Sequence, residues 1–313
     1  MTIAEINKPD HILEVKGLWK IYGSKTDGLD LIEPDAAEAL RDQGAVLAVN
    51  DVSFKVKRGQ VFVIMGLSGS GKSTLIRCIP RLVEPSQGEL IVNGRNVTEL
   101  NDLELTEFRR KDIAMVFQHY GLLPHRNVLE NVCFGLKLRG MSVKERQDRA
   151  RKVLSRVGLE GWEHHYPAQL SGGMRQRVGI ARALVQESDI LLMDEPFSGL
   201  DPLIRREMQD MLVWLQEEEH KTIIFVTHDL NEAAHLGDRM AVMKNGKFVQ
   251  EGTPQEVIAH PADEYVERFV SDQRQMMAGS RVKPLVSIPA MPRKDMPAAA
   301  GSEAPIAGIA RRR

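Results

Sequence analysis

Long hydrophobic runs are missing from this sequence of 313 residues. No stretch approaches the ~20 consecutive apolar residues that a membrane-spanning helix needs, and the longest apolar run extends only from Val61 to Leu67. The first residues, MTIAEINKPDH, lack the basic start and apolar centre of a secretory signal peptide. These absences argue against a membrane-spanning or secreted chain and predict a soluble, cytoplasmic protein.

Cysteine and an excess of one charge are also missing. The two cysteines, Cys78 and Cys133, provide neither a disulfide framework nor the close spacing of metal ligands. Lys and Arg number 42 against 43 Asp and Glu, and this net charge of −1 argues against a nucleic acid partner. Aromatic residues make up only 5%, but 42% of the residues are apolar, which is enough for a sizeable core. The length corresponds to about two domains.

Patterns of buried strands alternate with helical patterns along most of the chain. Apolar runs at Gln60–Met65, Ile190–Met193 and Thr222–Thr227 are typical of buried strands, and apolar residues at helical spacing from Leu203 to Leu215 indicate an amphipathic helix. This alternation predicts an α/β fold with a largely parallel sheet. Other predicted elements are a first strand at Ile12–Val15, a pair of strands around Ala48–Val56, helices over most of 102–180 with a short strand at Met115–Gln118, and hairpins at 88–94 and 239–250.

A glycine-rich loop directly follows the first of the buried strands. Gly66–Ser73 reads GLSGSGKS and matches the phosphate-binding pattern G-x-x-x-x-G-K-[ST] at every fixed position. The glycines let the main chain wrap closely around an anion, and the following helix adds the positive end of its dipole. Lys72 would pair with the β- and γ-phosphates of a nucleotide and Ser73 would bind Mg²⁺. A chance glycine-rich turn is the alternative, and Pro80 predicts an early end or a kink in the helix.

Two further segments carry groups that suit nucleotide chemistry. Asp194 and Glu195 end the strand that begins at Ile190; the first would hold Mg²⁺ and the second could act as a general base on water. The alternative is a solvated strand end. Ser171 is a natural N-cap, and the two glycines after it would expose the first N–H groups of a second anion-binding helix. An ordinary capped helix is the alternative there.

These three motifs together make the chain resemble the nucleotide-binding subunits of ATP-binding-cassette transporters, over about residues 12–270. The segment LSGGMRQR, at residues 170–177, is the most specific of them. The resemblance implies a P-loop NTPase core with a parallel sheet, an antiparallel β-subdomain, and an inserted helical subdomain at about 119–180. Residues 1–11 would be an N-terminal extension. The composition of 271–313, rich in Pro, Ala, Gly and Ser, predicts a disordered tail.

The same resemblance implies roles for individual residues. Tyr22 would stack on adenine, whereas its neighbour Trp19 is the lesser candidate or a core residue. Gln118 would sense Mg²⁺ and the attacking water, His228 would contact the γ-phosphate, and Asp201 would lie in a loop that faces a partner cassette. The predicted set comprises catalytic Glu195, His228 and Gln118; nucleotide-binding Tyr22, Gly66, Ser68, Gly69, Ser70, Gly71, Lys72, Ser73, Thr74, Ser171, Gly172, Gly173 and Asp201; and metal-binding Ser73, Gln118 and Asp194.

Two segments narrow the resemblance to importers of glycine betaine, proline betaine and choline. They are the insertion at Ser24–Gly44, in which EPDAAEALRDQG predicts a short helix, and the stretch HYGLLPHRNVLENVCFGLKLRG after Gln118. Too few residues follow Val270 for the paired regulatory domains of many such importers, which favours nutrient uptake over osmoprotection. An importer of another small solute, such as an amino acid, is the alternative, and a cassette protein without a transport role is the least favoured.

The resemblance also implies partners. ATP and Mg²⁺ would be bound between this chain and a second ATP-binding subunit in a head-to-tail dimer, which energises a separate membrane permease. A periplasmic or lipid-anchored binding protein would select the substrate, and the chain would lie on the cytoplasmic face of the inner membrane. Four residues after Gln118 would form a groove for a helix of the permease, although about two of them could instead be core residues: Tyr120, Leu122, Leu123 and Pro124.

Overall fold

The computed structural model describes residues 10–23, 42, 44–118 and 120–279, with side chains as far as Gln273. Most of the short helix predicted within the insertion at 24–44, residues 1–9 of the predicted N-terminal extension and the end of the chain from residue 280 lie outside the described residues. In the part of the chain that is described, no helix combines the length and the apolar character needed to cross a bilayer.

Among the described residues, ten strands form two sheets. They are β1 (His11–Tyr22), β2 (Val46–Lys57), β3 (Val61–Met65), β4 (Gln87–Val92), β5 (Arg95–Asn96), β6 (Ile113–Val116), β7 (Ile190–Asp194), β8 (Thr222–Val226), β9 (Arg239–Lys244) and β10 (Lys247–Gly252). Six strands form the larger sheet in the order β10-β9-β3-β8-β7-β6, and all neighbours pair in parallel except β9 and β10. The predicted parallel α/β core is therefore confirmed, as are both hairpins.

The smaller sheet is antiparallel, in the order β2-β1-β4-β5. The prediction of two strands around Ala48–Val56 is wrong, because β2 is one strand that pairs along its length with β1. Asp51 adopts a left-handed φ of 54° within this strand, at a place where the pairing with β1 shifts register. Such an irregularity bends a strand without ending it.

Ten helices surround the sheets in the described part of the chain. They are α1 (Lys72–Cys78), α2 (Asp102–Lys111), α3 (Val128–Val132), α4 (Phe134–Leu138), α5 (Val143–Arg156), α6 (Gly172–Leu184), α7 (Pro202–Glu219), α8 (Leu230–Leu236), α9 (Pro254–Ala259) and α10 (Glu264–Gly279). As predicted, α1 ends before Pro80, which cannot continue its hydrogen bonds.

Several element boundaries differ from the predictions, among them that of the first strand, which extends over His11–Tyr22 and not only over Ile12–Val15. The strand predicted at Met115–Gln118 is β6, which starts at Ile113 because α2 ends just before it and the first residues of β6 pair with Ile190 and Leu191. The tail predicted from residue 271 is wrong as far as Gly279, because α10 continues to that residue. Packing of Val266, Phe269 and Val270 against the core anchors this helix, which composition alone does not reveal.

The alternating side chains of the buried strands divide the core into two parts. On β3, Val61, Val63 and Met65 face the cluster that includes residues of α3 and α5–α10, whereas Phe62 and Ile64 face the antiparallel sheet and α1. Strands covered on both sides read as continuous apolar runs, which is why they were readily predicted. The arrangement leaves the carboxyl ends of β3, β7 and β8 side by side at one edge of the sheet.

Candidate active site

The predicted catalytic groups meet where three neighbouring parallel strands end. The phosphate loop follows β3, Asp194 and Glu195 lie at the end of β7, and His228 follows β8. Gln118 comes two residues after β6, the next strand of the sheet. Crevices beyond the carboxyl ends of strands are the usual ligand sites of open α/β sheets. Residues up to 162 positions apart in the sequence, from Gly66 to His228, are thus brought to one edge.

Close contacts of the main chain explain two of the loop glycines. Gly71 has a φ of 106°, and an added Cβ would lie 2.0 Å from the carbonyl oxygen of Ala48. At Gly66, with a φ of 149°, a Cβ would lie 2.3 Å from the carbonyl oxygen of Met243. Both conformations favour glycine. The loop leads into α1, which has no side-chain cap, so the N–H groups of its first turn are available to an anion.

Lys72 lies inside this loop. Its side chain is buried, and Nζ donates hydrogen bonds to the carbonyl oxygens of Gly66 (2.9 Å) and Leu67 (3.0 Å). Burial lowers the pKa of Lys72, although the nearby Glu195 and Asp194 act in the opposite direction. The loop therefore holds the Lys72 ammonium group against its own carbonyl oxygens, beside the place where phosphates would be bound.

Oxygen ligands suited to Mg²⁺ are present beside the loop. Ser73 Oγ donates to Asp194 Oδ1 at 2.8 Å, and Arg77 Nη2 donates to Asp194 Oδ2 at 2.9 Å. The Asp194 side chain is fully buried. No group of three or more His, Cys, Asp or Glu side chains forms a complete metal site within the described residues. Mg²⁺ commonly combines one or two protein oxygens with water and substrate phosphates, so a hydroxyl and a carboxylate fit this ion together with a nucleotide.

Glu195 lies between two side-chain donors. Its main chain has a left-handed φ of 44°, and its N–H donates to the carbonyl oxygen of Val226 at 3.0 Å, which ties the end of β7 to β8. His228 Nδ1 lies 3.2 Å and Gln118 Nε2 lies 3.4 Å from Glu195 Oε2. The other carboxylate oxygen, Oε1, takes part in neither contact. These two contacts hold the carboxylate in one orientation and involve only one of its two oxygens.

The charges of this pair support each other. The hydrogen bond from His228, helped by the charges of His228 and Lys72, lowers the pKa of Glu195 although burial opposes the shift. The same hydrogen bond raises the pKa of His228, again against burial. Glu195 is therefore an ionised carboxylate near neutral pH, which is the form that a general base requires.

These groups line an open cleft of about 1010 Å³. The sequence-predicted residues in its wall are Ser68, Gly69, Gly71, Lys72, Ser73, Thr74, Gln118, Glu195 and His228. The Ser70 hydroxyl is buried and has no hydrogen-bond partner among the described residues.

Tyr22 lies outside this wall and is 43% exposed, with Lys20 Nζ 4.9 Å from its ring centroid. Its contact with adenine stays a prediction. Trp19 is a buried core residue, the alternative that was left open.

The second predicted anion site lies elsewhere. Ser171 caps α6, since its Oγ accepts a hydrogen bond from the Met174 N–H at 3.2 Å. None of residues 171–173 belongs to the wall of the cleft. Asp201 caps α7 by accepting hydrogen bonds from the N–H groups of Leu203 and Ile204. Contacts of either segment with a nucleotide or a partner stay predictions.

The predicted permease groove is only partly exposed. Leu122 packs against the core, as the core interpretation predicts, whereas Pro124 is exposed, as a groove for the permease requires. Tyr120 has a left-handed φ of 54°, and Arg182 donates hydrogen bonds to the carbonyl oxygens of Tyr120 and Gly121. The start of this segment is thus tied to α6.

Several residues of the site were not predicted. Arg77 is four residues after Ser73 on α1, so helical spacing could have placed it near the carboxylate. Glu232 is buried on α8; it accepts hydrogen bonds from the Thr227 hydroxyl and the Gln209 amide, which braces the turn before His228. The cleft wall also includes residues that no local motif marks, because packing alone brings them there: Ala45–Ala48, Asn245, Phe269 and Gln273.

Comparisons with known proteins agree with this geometry. A family model described as ABC transporter matches residues 49–198. The glycine betaine/carnitine transport ATP-binding protein of Listeria monocytogenes is 51% identical over 263 residues, which cover 83% of this chain and 66% of that protein. The chain therefore spans slightly less than two thirds of that relative. The trimethylamine N-oxide transport system ATP-binding protein of Pelagibacter ubique is 46% identical over 266 residues, 84% of this chain and 78% of that protein.

A solved structure shows the same fold. It is the dimeric, post-hydrolysis state of the ATP-binding cassette MJ0796 bound to ADP and Pi, with a TM-score of 0.67 and 36% sequence identity. The match covers 77% of this chain and 98% of that one.

Proposed function

The chain belongs to the ATP-binding proteins of the ABC transporter family, and we propose that it is the ATP-hydrolysing subunit of an importer. The transported solute would be a quaternary amine such as glycine betaine, proline betaine or choline. The observation that carries the proposal is the approach of His228 Nδ1 to Glu195 Oε2 at 3.2 Å beside the Ser73–Asp194 pair. A general base, a metal-binding pair and a phosphate loop thus surround one cleft.

Hydrolysis follows from these positions. The N–H groups of the loop and Lys72 bind the β- and γ-phosphates, and Ser73 and Asp194, with Gln118 nearby, would hold Mg²⁺. When bound, that ion neutralises phosphate charge. Glu195 accepts a proton from the water that attacks the γ-phosphorus. His228 orients the Glu195 carboxylate and places positive charge next to the γ-phosphate.

The two separate anion sites support a head-to-tail dimer. Residues 171–173 lie outside the cleft of their own chain, so they would complete the cleft of a second ATP-binding subunit. The γ-phosphate would then contact both subunits. Because ATP gains contacts only in the closed dimer, its binding favours closure, and hydrolysis favours opening.

Transport requires partners that cross the membrane or lie outside it. We expect a permease to bind near residues 120–124 and a periplasmic or lipid-anchored protein to select the solute. This chain would then lie on the cytoplasmic face of the inner membrane. Glycine betaine, carnitine and trimethylamine N-oxide, named for the two relatives, all carry a trimethylated nitrogen. That shared group supports the substrate class.

Glu195→Gln tests the proposal in the purified protein and in cells. The variant should bind ATP like the wild-type chain but hydrolyse it about 100-fold more slowly or worse, because it lacks a general base. In host cells, uptake of labelled glycine betaine or choline should depend on the wild-type chain. Hydrolysis at the wild-type rate would remove Glu195 as the base. Unchanged uptake of both solutes, with an active purified ATPase, would reject the substrate class and keep the enzyme.

A further inference from the structure

One face of α10 lies along the nucleotide cleft. Tyr265, Phe269 and Gln273 follow one another at intervals of four residues, which places them on one side of a helix. Phe269 and Gln273 belong to the wall of the cleft. Tyr265 and Phe269 stack, with ring centroids 6.4 Å apart and planes inclined by 16°. The α10 helix, which in part was predicted to be a disordered tail, therefore borders the candidate active site.

Tyr265 reaches the phosphate loop itself. Burial raises the pKa of the Tyr265 hydroxyl, and a hydrogen bond from the main-chain N–H of Leu67 acts in the opposite direction. This N–H and the carbonyl oxygen of Gly66 belong to the same peptide group, and that oxygen accepts a hydrogen bond from Lys72 Nζ at 2.9 Å. One peptide group of the loop is thus held by Tyr265 on one side and by Lys72 on the other. Such chains of hydrogen bonds reinforce one another.

A second contact joins Tyr265 to the hairpin that supports the loop. Lys244, the last residue of β9, places Nζ 4.3 Å from the centroid of the Tyr265 ring. Two residues later, the Gly246 N–H donates to the carbonyl oxygen of Ser70 at 2.9 Å. The phosphate loop is therefore connected to α10 both directly and through the β9–β10 turn.

We propose that α10 is part of the nucleotide site, in which Tyr265 positions the phosphate loop through Leu67 and Gln273 contacts the bound nucleotide. The inference rests on the proposed function, since it takes the cleft to be the ATP site. Tyr265 is a positioning residue because it acts through the loop. Phe269 stacks on Tyr265 and lines the cleft together with Gln273.

Two substitutions test the proposal in the purified full chain. Tyr265→Phe keeps the ring and removes only the hydroxyl, and Gln273→Ala removes the amide. The first should raise the Kd of a fluorescent ATP analogue and the KM for ATP about threefold to tenfold, the range expected for one hydrogen bond, with kcat within about twofold. Gln273→Ala should raise Kd about threefold. In the nucleotide-free chain, Tyr265→Phe should also speed hydrogen exchange of the Leu67 N–H.

Arg268→Ala is the matched control on the same helix. Arg268 is exposed and pairs only along the helix with Glu264, so its loss should leave Kd, KM and Leu67 exchange unchanged. Unchanged Kd and exchange in Tyr265→Phe would overturn the positioning role, and unchanged Kd in Gln273→Ala would overturn the contact. A wild-type chain that bound no ATP would refute the proposed function, yet Leu67 exchange would still decide whether Tyr265 holds the loop.

Discussion

The phosphate loop and the Ser171 segment are both glycine-rich starts of helices. Only the phosphate loop has the other groups of a candidate nucleotide site beside it in the described part of the same chain. The first turn of α1 has no side-chain cap, and it adjoins a cleft whose wall contains the buried Lys72 and the Glu195 carboxylate. The first turn of α6 is capped by Ser171 itself. Arg175, in that turn, donates its hydrogen bond to the Leu170 carbonyl oxygen at 2.7 Å and not toward a ligand.

The glycines of the two regions are constrained differently as well. A Cβ at Gly71 would meet the main chain of Ala48, which cannot move without shifting β2. At Gly173 it would meet a side chain and not the main chain, with Ile204 Cγ2 at 2.4 Å. The loop is thus fixed by its own fold. In the proposed dimer, the Ser171 segment would take on its role only against another chain, and a shared ATP site requires this difference.

Breaking each region in a separate chain gives the largest expected effect. Lys72→Ala removes the cation of the loop, and Ser171→Arg blocks the other helix start. Each variant alone should lose about 100-fold in ATP hydrolysis, as expected for losing contacts to transferred phosphate. A 1:1 mixture should recover about a quarter of wild-type activity, because half of the dimers are mixed and each contains one intact site.

Nucleotide binding by the single chain provides the control. Ser171→Arg should leave the Kd of an ATP analogue unchanged at concentrations too low for dimers, whereas Lys72→Ala should raise it. If the mixture recovers no activity, the two regions do not come from two copies of this chain.

The pH dependence of hydrolysis should also distinguish the phosphate-loop side of the site from the Ser171 segment, although with a smaller effect than the mixing experiment. His228 provides the largest contribution to the lowered pKa of Glu195. In His228→Ala that pKa rises toward its ordinary value, so Glu195 is protonated at higher pH. The acid limb of the residual ATPase rate should therefore move to higher pH. Ser171→Arg should lower the rate and leave the position of this limb unchanged.

His235→Ala is the matched control for this shift. His235 also pairs with a carboxylate, Asp210 at 3.5 Å, but on the surface between α7 and α8. Its removal should leave the pH profile unchanged. An acid limb that does not move in His228→Ala would show that the carboxylate titrating in the rate profile is not Glu195.

The two regions also show what the sequence could and could not predict. Gly66–Ser73, the strands around it and the Ser171 cap are encoded by neighbouring residues, and the structure has them where local patterns indicated. The places where prediction failed depend on distant packing. A pair of strands was predicted around Ala48–Val56, but pairing with β1 keeps β2 continuous. Phe269 and Gln273 carry no motif, and only the fold places them at the cleft.

Removal of residues 280–313 is the change with the smallest expected effect. The composition of these residues predicts a disordered tail, and Gln273 is the last described side chain that borders the cleft. ATPase activity and the melting temperature should match the full chain, with the rate within about twofold.

Removal of 265–313 is the informative contrast, because it also takes away Val266, Phe269 and Val270, each buried in the core. That shorter chain should melt at lower temperature and bind ATP more weakly, since burial of each such side chain stabilises by about 1.5–3 kcal/mol. A large loss of activity from the first deletion would mean that residues beyond α10 also contribute to the nucleotide site. The comparison with the Ser171 segment would then have to include those residues.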